Sequence, residues 1–265
     1  MAVTHHNHNR RARAVRVVPR TYFPVRLPPI VSVFACRRSV WLPTVWGSLV
    51  LMTAAVLLAV VAARLANGWL APNQPARGAR TLVIEGWMAA TDLDQAVLAF
   101  RRGQYERVIT TGAPLDSWPD LELHPASNLA DLSAAYLRKH GLGGIALVAV
   151  PAPTSAQDRT FLSAVMVREW AHQSGTVLGP IDVFSAGAHA RRTRLLYRMA
   201  LGPDVEVGVL AAQPQMFDAE RWWTTSAGVK SVIGETLSLG WTVCCFWPPT
   251  PGSPEERWAR PRPRP

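Results

Sequence analysis

The chain has 265 residues, 49% of them hydrophobic, and a formal net charge of +10. That charge is lopsided: no Asp or Glu precedes Glu85, and 11 of the 28 Lys+Arg fall in the first 84 residues, leaving 17 basic against 18 acidic residues in the rest. A near-neutral folded part excludes a nucleic-acid-binding domain, whose basic footprint would lie on the fold itself, and three cysteines with no C-x-x-C spacing give no zinc site.

Residues 1–40 read as a basic cytoplasmic tail in which His5, His6 and His8 belong to an unstructured leader. Residues 41–63, WLPTVWGSLVLMTAAVLLAVVAA, carry no charge and are long enough to cross a hydrocarbon core of roughly 30 Å as a helix. Arg37 and Arg38 stand just before this run, and Trp41, Trp46 and Trp69 lie where an interfacial aromatic belt would sit. The run exceeds the roughly 7–15 apolar residues of a cleaved signal peptide and lacks the polar face of a soluble helix. It is therefore expected to be an uncleaved transmembrane helix, with the basic flank inside a bacterial-type inner membrane and everything after Arg64 exported. Residues 64–80, rich in Pro, Gly and Asn, read as a linker.

Residues 81–243 alternate strand and helix, the pattern of a Rossmann-like, three-layer α/β domain with a mainly parallel sheet. Leu82-Val83-Ile84 is a strand ending at Glu85-Gly86. The following helix is expected to be capped by Thr91, to bury Leu93, Ala96, Val97 and Phe100, and to stop at Gly103. Val108-Ile109 is the second strand, running into Thr111-Gly112; Ser127 caps a helix with Leu129, Leu132 and Tyr136 on one face, closed by Gly141. A third strand spans 145–150, a third helix starts near Ser155, and a fourth strand from Ile181 ends at Ser185-Ala186-Gly187. A basic helix then runs through His189 to Met199, the fifth strand covers 205–210, and a last helix or helix pair runs from Asp218 to Leu239. Residues 244–265 read as an extended Pro/Arg-rich tail, and the adjacent Cys244 and Cys245, which cannot easily meet disulfide geometry, read as packed or membrane-near thiols.

In doubly wound sheets, ligands bind outside the carboxyl ends of the strands. That edge collects Glu85, Thr111, Gly112, Thr154, Ser185 and His189. Each has a plainer use as a turn or cap, and Arg191, Arg192, Arg194 and Arg198 also read as a solvated helix face. As a site, the set has a definite chemistry. His189 opens a helix and Arg192 lies one turn on; with Arg159, Arg192 can clamp a phosphate or carboxylate. His189 can donate a proton to that group, with Glu85 as base or as orienter of the imidazole. No G-x-S-x-G, G-x-G-x-x-G, Walker loop or H-E-x-x-H occurs.

The run Phe184–Arg198, FSAGAHARRTRLLYR, resembles a motif of the domain of unknown function 218 family, the SanA/ElyC/YdcF-like bacterial envelope proteins: a strand, Thr/Ser-Ser, two residues, His, two residues, Arg. Three further segments fit the same family in order: VIEGW with Glu85 and Gly86, VITTGAP with Thr111 and Gly112, and PTSAQDRTFLSA with Thr154, Asp158, Arg159 and Thr160. The resemblance covers residues 81–241. Glu85, where the family commonly has a small residue, and Asn128, where it often has an acidic one, are departures. The resemblance implies a membrane-anchored envelope protein that binds an anionic, phosphate-containing precursor in cell-wall or surface-polysaccharide biogenesis; a hydrolase or transferase acting on a phosphorylated glycan or lipid carrier is the alternative. His189 and Glu85 would be catalytic, with Gly86, Thr111, Gly112, Thr154, Asp158, Arg159, Ser185 and Arg192 holding the ligand. A cytoplasmic relative is associated with S-adenosylmethionine, but an exported domain would not meet a nucleotide-type cofactor, so no cofactor, metal or nucleic-acid partner is expected.

The charge bias sets the orientation. A reporter active only after export should work when fused after Pro75 and fail when fused after Arg38; the reverse result would invert the topology.

Overall fold

The computed structural model describes residues 43–115, 127–155, 159–253 and 255–256. The basic tail, the Trp41–Leu42 start of the apolar run and Asp158 lie outside the described residues. Helix α1, Val45–Leu70, is the one described helix long and apolar enough to cross a membrane, and none of its most apolar stretch is buried. The chain divides between Leu51 and Met52 into two compact units, the second holding the later turns of α1 and the entire α/β domain.

Five parallel strands form one sheet: β1 Thr81–Glu85, β2 Arg107–Gly112, β3 Ala146–Pro151, β4 Ile181–Ala186 and β5 Val207–Ala212, in the order β3-β2-β1-β4-β5. Helices α2 (Ala90–Arg102) and α3 (Leu129–Leu137) carry the first crossovers; α4 (Arg159–Gln173) returns the chain past β1 to β4, and α5 (Ala190–Leu201) leads to β5. Alternate residues of the buried strands face opposite layers. Leu82, Ile84, Val108 and Phe184 pack with α2 and α3, while Val83, Ile109 and Val183 pack with α4 and α5. This is the α/β, Rossmann-like fold that the strand–helix alternation implies. Strand order reverses between β1 and β4, the switch point where such sheets bind ligands.

Local corrections follow from packing and capping. Helix α2 starts at Ala90, with Ala89 as N-cap and no side-chain bond, so Thr91 lies inside the helix. Asn128, not Ser127, caps α3, accepting from the Asp131 amide. Leu129 is buried as expected, but Ala130, Ser133, Ala134 and Leu137 complete the buried face of α3, which leaves Leu132 and Tyr136 partly exposed. β5 begins two residues later than its apolar run suggests. The last helix, α6, is Ser226–Cys245, after a short turn at Trp222–Thr224, and Cys244 and Cys245 are disulfide-bonded rather than free thiols. Both lie in the last turn of α6, beside the point where Phe246 takes up an extended conformation.

The two flanks expected to be loose are tied down. Residues 64–70 continue α1, and Leu70, 1% exposed, packs with Trp222, Val232 and Leu239. Beyond it the chain runs antiparallel along the edge of β5: Gln74 and Val209 exchange backbone hydrogen bonds at 2.8 and 3.0 Å. The Ala76 amide donates to Asp182 Oδ1 at 2.7 Å, a carboxylate that Tyr105 also meets at 2.6 Å. Gly208 makes this crossing possible, since a Cβ there would sit 2.0 Å from Asp182 Oδ1 and 2.2 Å from the Ala76 nitrogen. At the other end, Phe246 stacks edge-on against Phe161 in the core and Glu256 pairs with Arg168 at 2.6 Å. The segment was legible as polar and Pro-rich, but that composition describes a chain lying along an edge as well as a free one.

Removing residues 1–76 should therefore destabilise the domain, while removing 1–61 should not. Loss of Leu70 burial alone costs about 1.5–3 kcal/mol, and the freed β5 edge invites aggregation. Thermal unfolding of the two truncations in mild detergent would show it as a lower midpoint for the shorter chain; equal midpoints would mean the strap contributes nothing.

Candidate active site

All five residues of β1 are buried, so Glu85 reaches the carboxyl edge inside the sheet, 2% exposed. A carboxylate buried there must find partners or become neutral. Its partners come from the next strand and helix. Ser185, at the end of β4, donates to Glu85 Oε2 at 2.5 Å, and Thr193 in α5 donates to the same oxygen at 3.3 Å. The Trp87 indole also favours the charged form of this carboxylate, and His189 Nε2 lies 3.7 Å from Oε1.

Burial by itself would raise the Glu85 pKa, but the charge and hydrogen bond of His189, with Ser185 and Trp87, outweigh it and hold the carboxyl below its ordinary range. His189 is the mirror image. Burial disfavours its charged form, yet Glu85 on one side and Glu235 on the other lift it to about 9. Glu235 reaches in from α6. Its Oε1 is 3.0 Å from His189 Nδ1, and Arg192 meets it through Nε at 2.9 Å and a terminal nitrogen at 3.2 Å. Those contacts overcome its own burial and bring its pKa to about 2. The same Arg192 nitrogen lies 2.9 Å from His189 Nδ1. With the imidazole protonated these are two donors converging on one carboxylate, not donor and acceptor. These shifts all favour the charged forms, Glu85⁻, His189⁺ and Glu235⁻ beside the Arg192 guanidinium, a set that is internally balanced.

The cluster forms one wall of a cavity of about 450 Å³ at the carboxyl edge. Glu85, Gly112, Arg159, His189 and Arg192 all border it, together with Thr160, Glu235 and Trp241. Thr160 Oγ1 is 3.3 Å from His189 Nε2, and Trp87 packs edge-on against the imidazole at 5.2 Å between centroids. Arg159, the exposed first residue of α4, has no hydrogen-bond or ion-pair partner among the described residues.

The other expected site residues stand elsewhere. Ser185 and Thr111 are buried beneath the cavity; Ser185 holds Glu85, and Thr111 lies 3.5 Å from the buried Tyr197 hydroxyl. Gly86 borders a separate hollow of about 290 Å³ behind Trp87. At Gly112 a Cβ would come within 2.6 Å of Leu129, so this glycine lets the start of α3 close onto the strand end. Thr154 is exposed and away from the cavity, because the chain turns outward after Pro153. Arg192, expected to clamp a phosphate with Arg159, borders the cavity with it, and its guanidinium is bonded to Glu235 through Nε and one terminal nitrogen. Glu235, Trp87 and Thr193 were missed. Only Glu235 left a signal in the sequence, as the single carboxylate between Arg221 and Ser253 in a strongly apolar stretch.

No family model, curated protein or solved structure matches the chain.

Two outcomes follow from the charge balance. The His189 imidazole should titrate near pH 9 by NMR, and Glu235→Gln should lower that midpoint while leaving it above the ordinary 6.5, because Glu85 remains; a wild-type midpoint at or below 6.5 would break the assignment. A raised histidine pKa stabilises the fold fully below 6.5 and loses that contribution as pH rises through about 9. The depressed Glu235 pKa stabilises fully above 4.5 and is lost as pH falls through about 2. Stability from this network should therefore be greatest between pH 4.5 and 6.5 and decline toward pH 9, more steeply in wild type than in His189→Gln.

Proposed function

We propose that this is a membrane-anchored envelope protein of the SanA/ElyC/YdcF-like kind that binds an anionic, phosphate-containing precursor of cell-wall or surface-polysaccharide biogenesis. In this reading α1 is a single-pass anchor in a bacterial inner membrane, with the amino terminus inside and the α/β domain exported. The observation that carries the ligand class is the cavity at the switch point, where the internal charges cancel and Arg159 is left as a cation without a partner among the described residues. A ligand phosphate entering beside Arg159 meets the Thr160 hydroxyl, which accepts from the protonated Nε2 of His189 and keeps its own proton to donate. The remaining guanidinium protons of Arg192 border the same space.

A second reading, a hydrolase or transferase on a phosphorylated glycan or lipid carrier, is favoured by one contact pattern. Glu235, His189 and Thr160 form a carboxylate–imidazole–hydroxyl line at 3.0 and 3.3 Å. An imidazole protonated up to about pH 9 serves poorly as a base for that hydroxyl but well as an acid for a leaving oxygen. In that role His189 would protonate the departing group, with Glu235 and Arg192 fixing the ring.

Titration of the full chain in detergent with a short-chain polyprenyl monophosphate should show saturable binding that the corresponding alcohol lacks. Arg159→Ala should weaken it about fivefold, the scale of a rim charge. Equal affinity for alcohol and phosphate would remove the anionic-ligand reading. Release of inorganic phosphate that His189→Gln abolishes would favour the enzyme over the binder.

A further inference from the structure

Helix α6 has an apolar face that the fold does not use. Val232 and Leu239 are buried with Trp222 and Leu70, and Glu235 and Thr242 turn toward the cavity. Along another face Ile233, Leu237 and Trp241 follow one another at four-residue spacing, 47%, 69% and 51% exposed, and Val243 and Trp247 continue the exposed surface at 62% and 82%. Gly234 and Gly240 lie between them with nothing near their missing Cβ positions, so no other described segment covers the face. A water-facing helix would carry charges there. This one has only Lys230 at its start, and Glu235, the single carboxylate from Trp222 to Ser253, faces the cavity.

The neighbour of α6 identifies what the face meets. Trp222, immediately before the helix, donates its indole N–H to the carbonyl of Ala63 at 2.8 Å, and Ala63 is the last residue of the charge-free run in α1. Ala63, Ala66 and Leu70 share an apolar cluster with Val229 and Val232. One flank of α6 is therefore packed on α1 at the level where α1 leaves its apolar stretch, and the adjacent flank is the bare row. Exposed Trp69 and Trp223 and the exposed cations Arg64 and Lys230 each stand one residue along the chain from a member of this cluster, while Arg221 is paired with Asp218. Tryptophans beside cations along an otherwise apolar helix face are what an interfacial helix presents to headgroups and upper acyl chains. A second copy of the chain would need no such cations, and anionic headgroups do.

We propose that the Ile233–Leu237–Trp241 row, continued by Val243 and Trp247, lies in the headgroup–acyl boundary of the membrane that α1 crosses. Trp241 borders the cavity as well as the row, so the cavity opens at the lipid surface. The proposal rests on α1 being a membrane anchor and is independent of the phosphate reading.

Photocrosslinking tests it in the full chain, reconstituted in nanodiscs of phosphatidylcholine and phosphatidylglycerol. p-Benzoylphenylalanine is placed one position at a time at Leu237, at Leu57 within α1, and at Val177. Val177 is 92% exposed and precedes β4 at the opposite edge of the sheet. The expected result is lipid adducts by mass spectrometry at Leu57 and Leu237 and none at Val177. Adducts at Leu57 with none at Leu237 would overturn the interfacial face while leaving the anchor. No lipid adduct at Leu57 would overturn both. A Leu237 crosslink to another copy, or to residues 116–126 or 254–265 of its own chain, would assign the face to protein instead. As a second measurement that tolerates a failed incorporation, Leu237→Glu should leave the detergent-solubilised chain folded by circular dichroism. It should reduce protection of α6 amides in nanodiscs at least tenfold, and unchanged protection would count against the proposal.

Discussion

A carboxylate at the end of a fully buried central strand has to be neutralised where it stands, and much of the carboxyl edge is organised around that requirement. Glu85 takes a hydroxyl from β4, a second from α5 and an imidazole from the start of α5, with the Trp87 indole of its own turn also favouring its charge. Charging His189 in turn requires a second carboxylate, which α6 brings in as Glu235, and Arg192 fixes that one. Removing a member of such a chain leaves an uncompensated buried charge, commonly worth about 3–5 kcal/mol. The same linkage draws β1, β4, α5 and α6 to one point. A site assembled from four elements keeps its geometry only while all four are docked.

The helix that serves the site also serves the strap. Along α5, three arginines within four residues point to different tasks. Arg191 donates to the Trp69 carbonyl at 2.5 Å with its guanidinium 4.3 Å above the Trp69 ring, Arg192 holds Glu235, and Arg194 bonds Gln74 and the Val207 carbonyl. A run of like charges on one helix would repel if it were merely solvated; here each charge is spent on a different acceptor.

What the sequence displays depends on how local the cause is. Strand–helix alternation, the stripe of α2 and the bounds of β1 and β4 come from residues close in the chain, and they are readable. The meeting of Glu85, Arg159, His189 and Arg192 at one cavity follows from topology, because consecutive βα turns must share the carboxyl edge. Which of them face the cavity does not follow. Thr154 and Gly86 lie at the right edge but turn elsewhere, and Arg192 is claimed by a carboxylate 43 residues away. Non-local partners leave almost no trace in the sequence. Glu235 left one only because a lone acid in an apolar helix is costly unless something answers it.

The strap along β5 also settles a question of reach. Fourteen flexible residues would let a tethered domain wander over roughly 20 Å from its point of attachment. Residues 67–80 have no such slack, since Asn67 to Leu70 are helical, Gln74 is stitched to Val209 and Ala76 is held by Asp182. The α/β domain is thereby joined to the last turns of α1 by packed and hydrogen-bonded chain, like a tool on a short bracket. The cavity moves with that helix end rather than swinging free of it. A ligand has to come to the cavity where the packed end of α1 holds it.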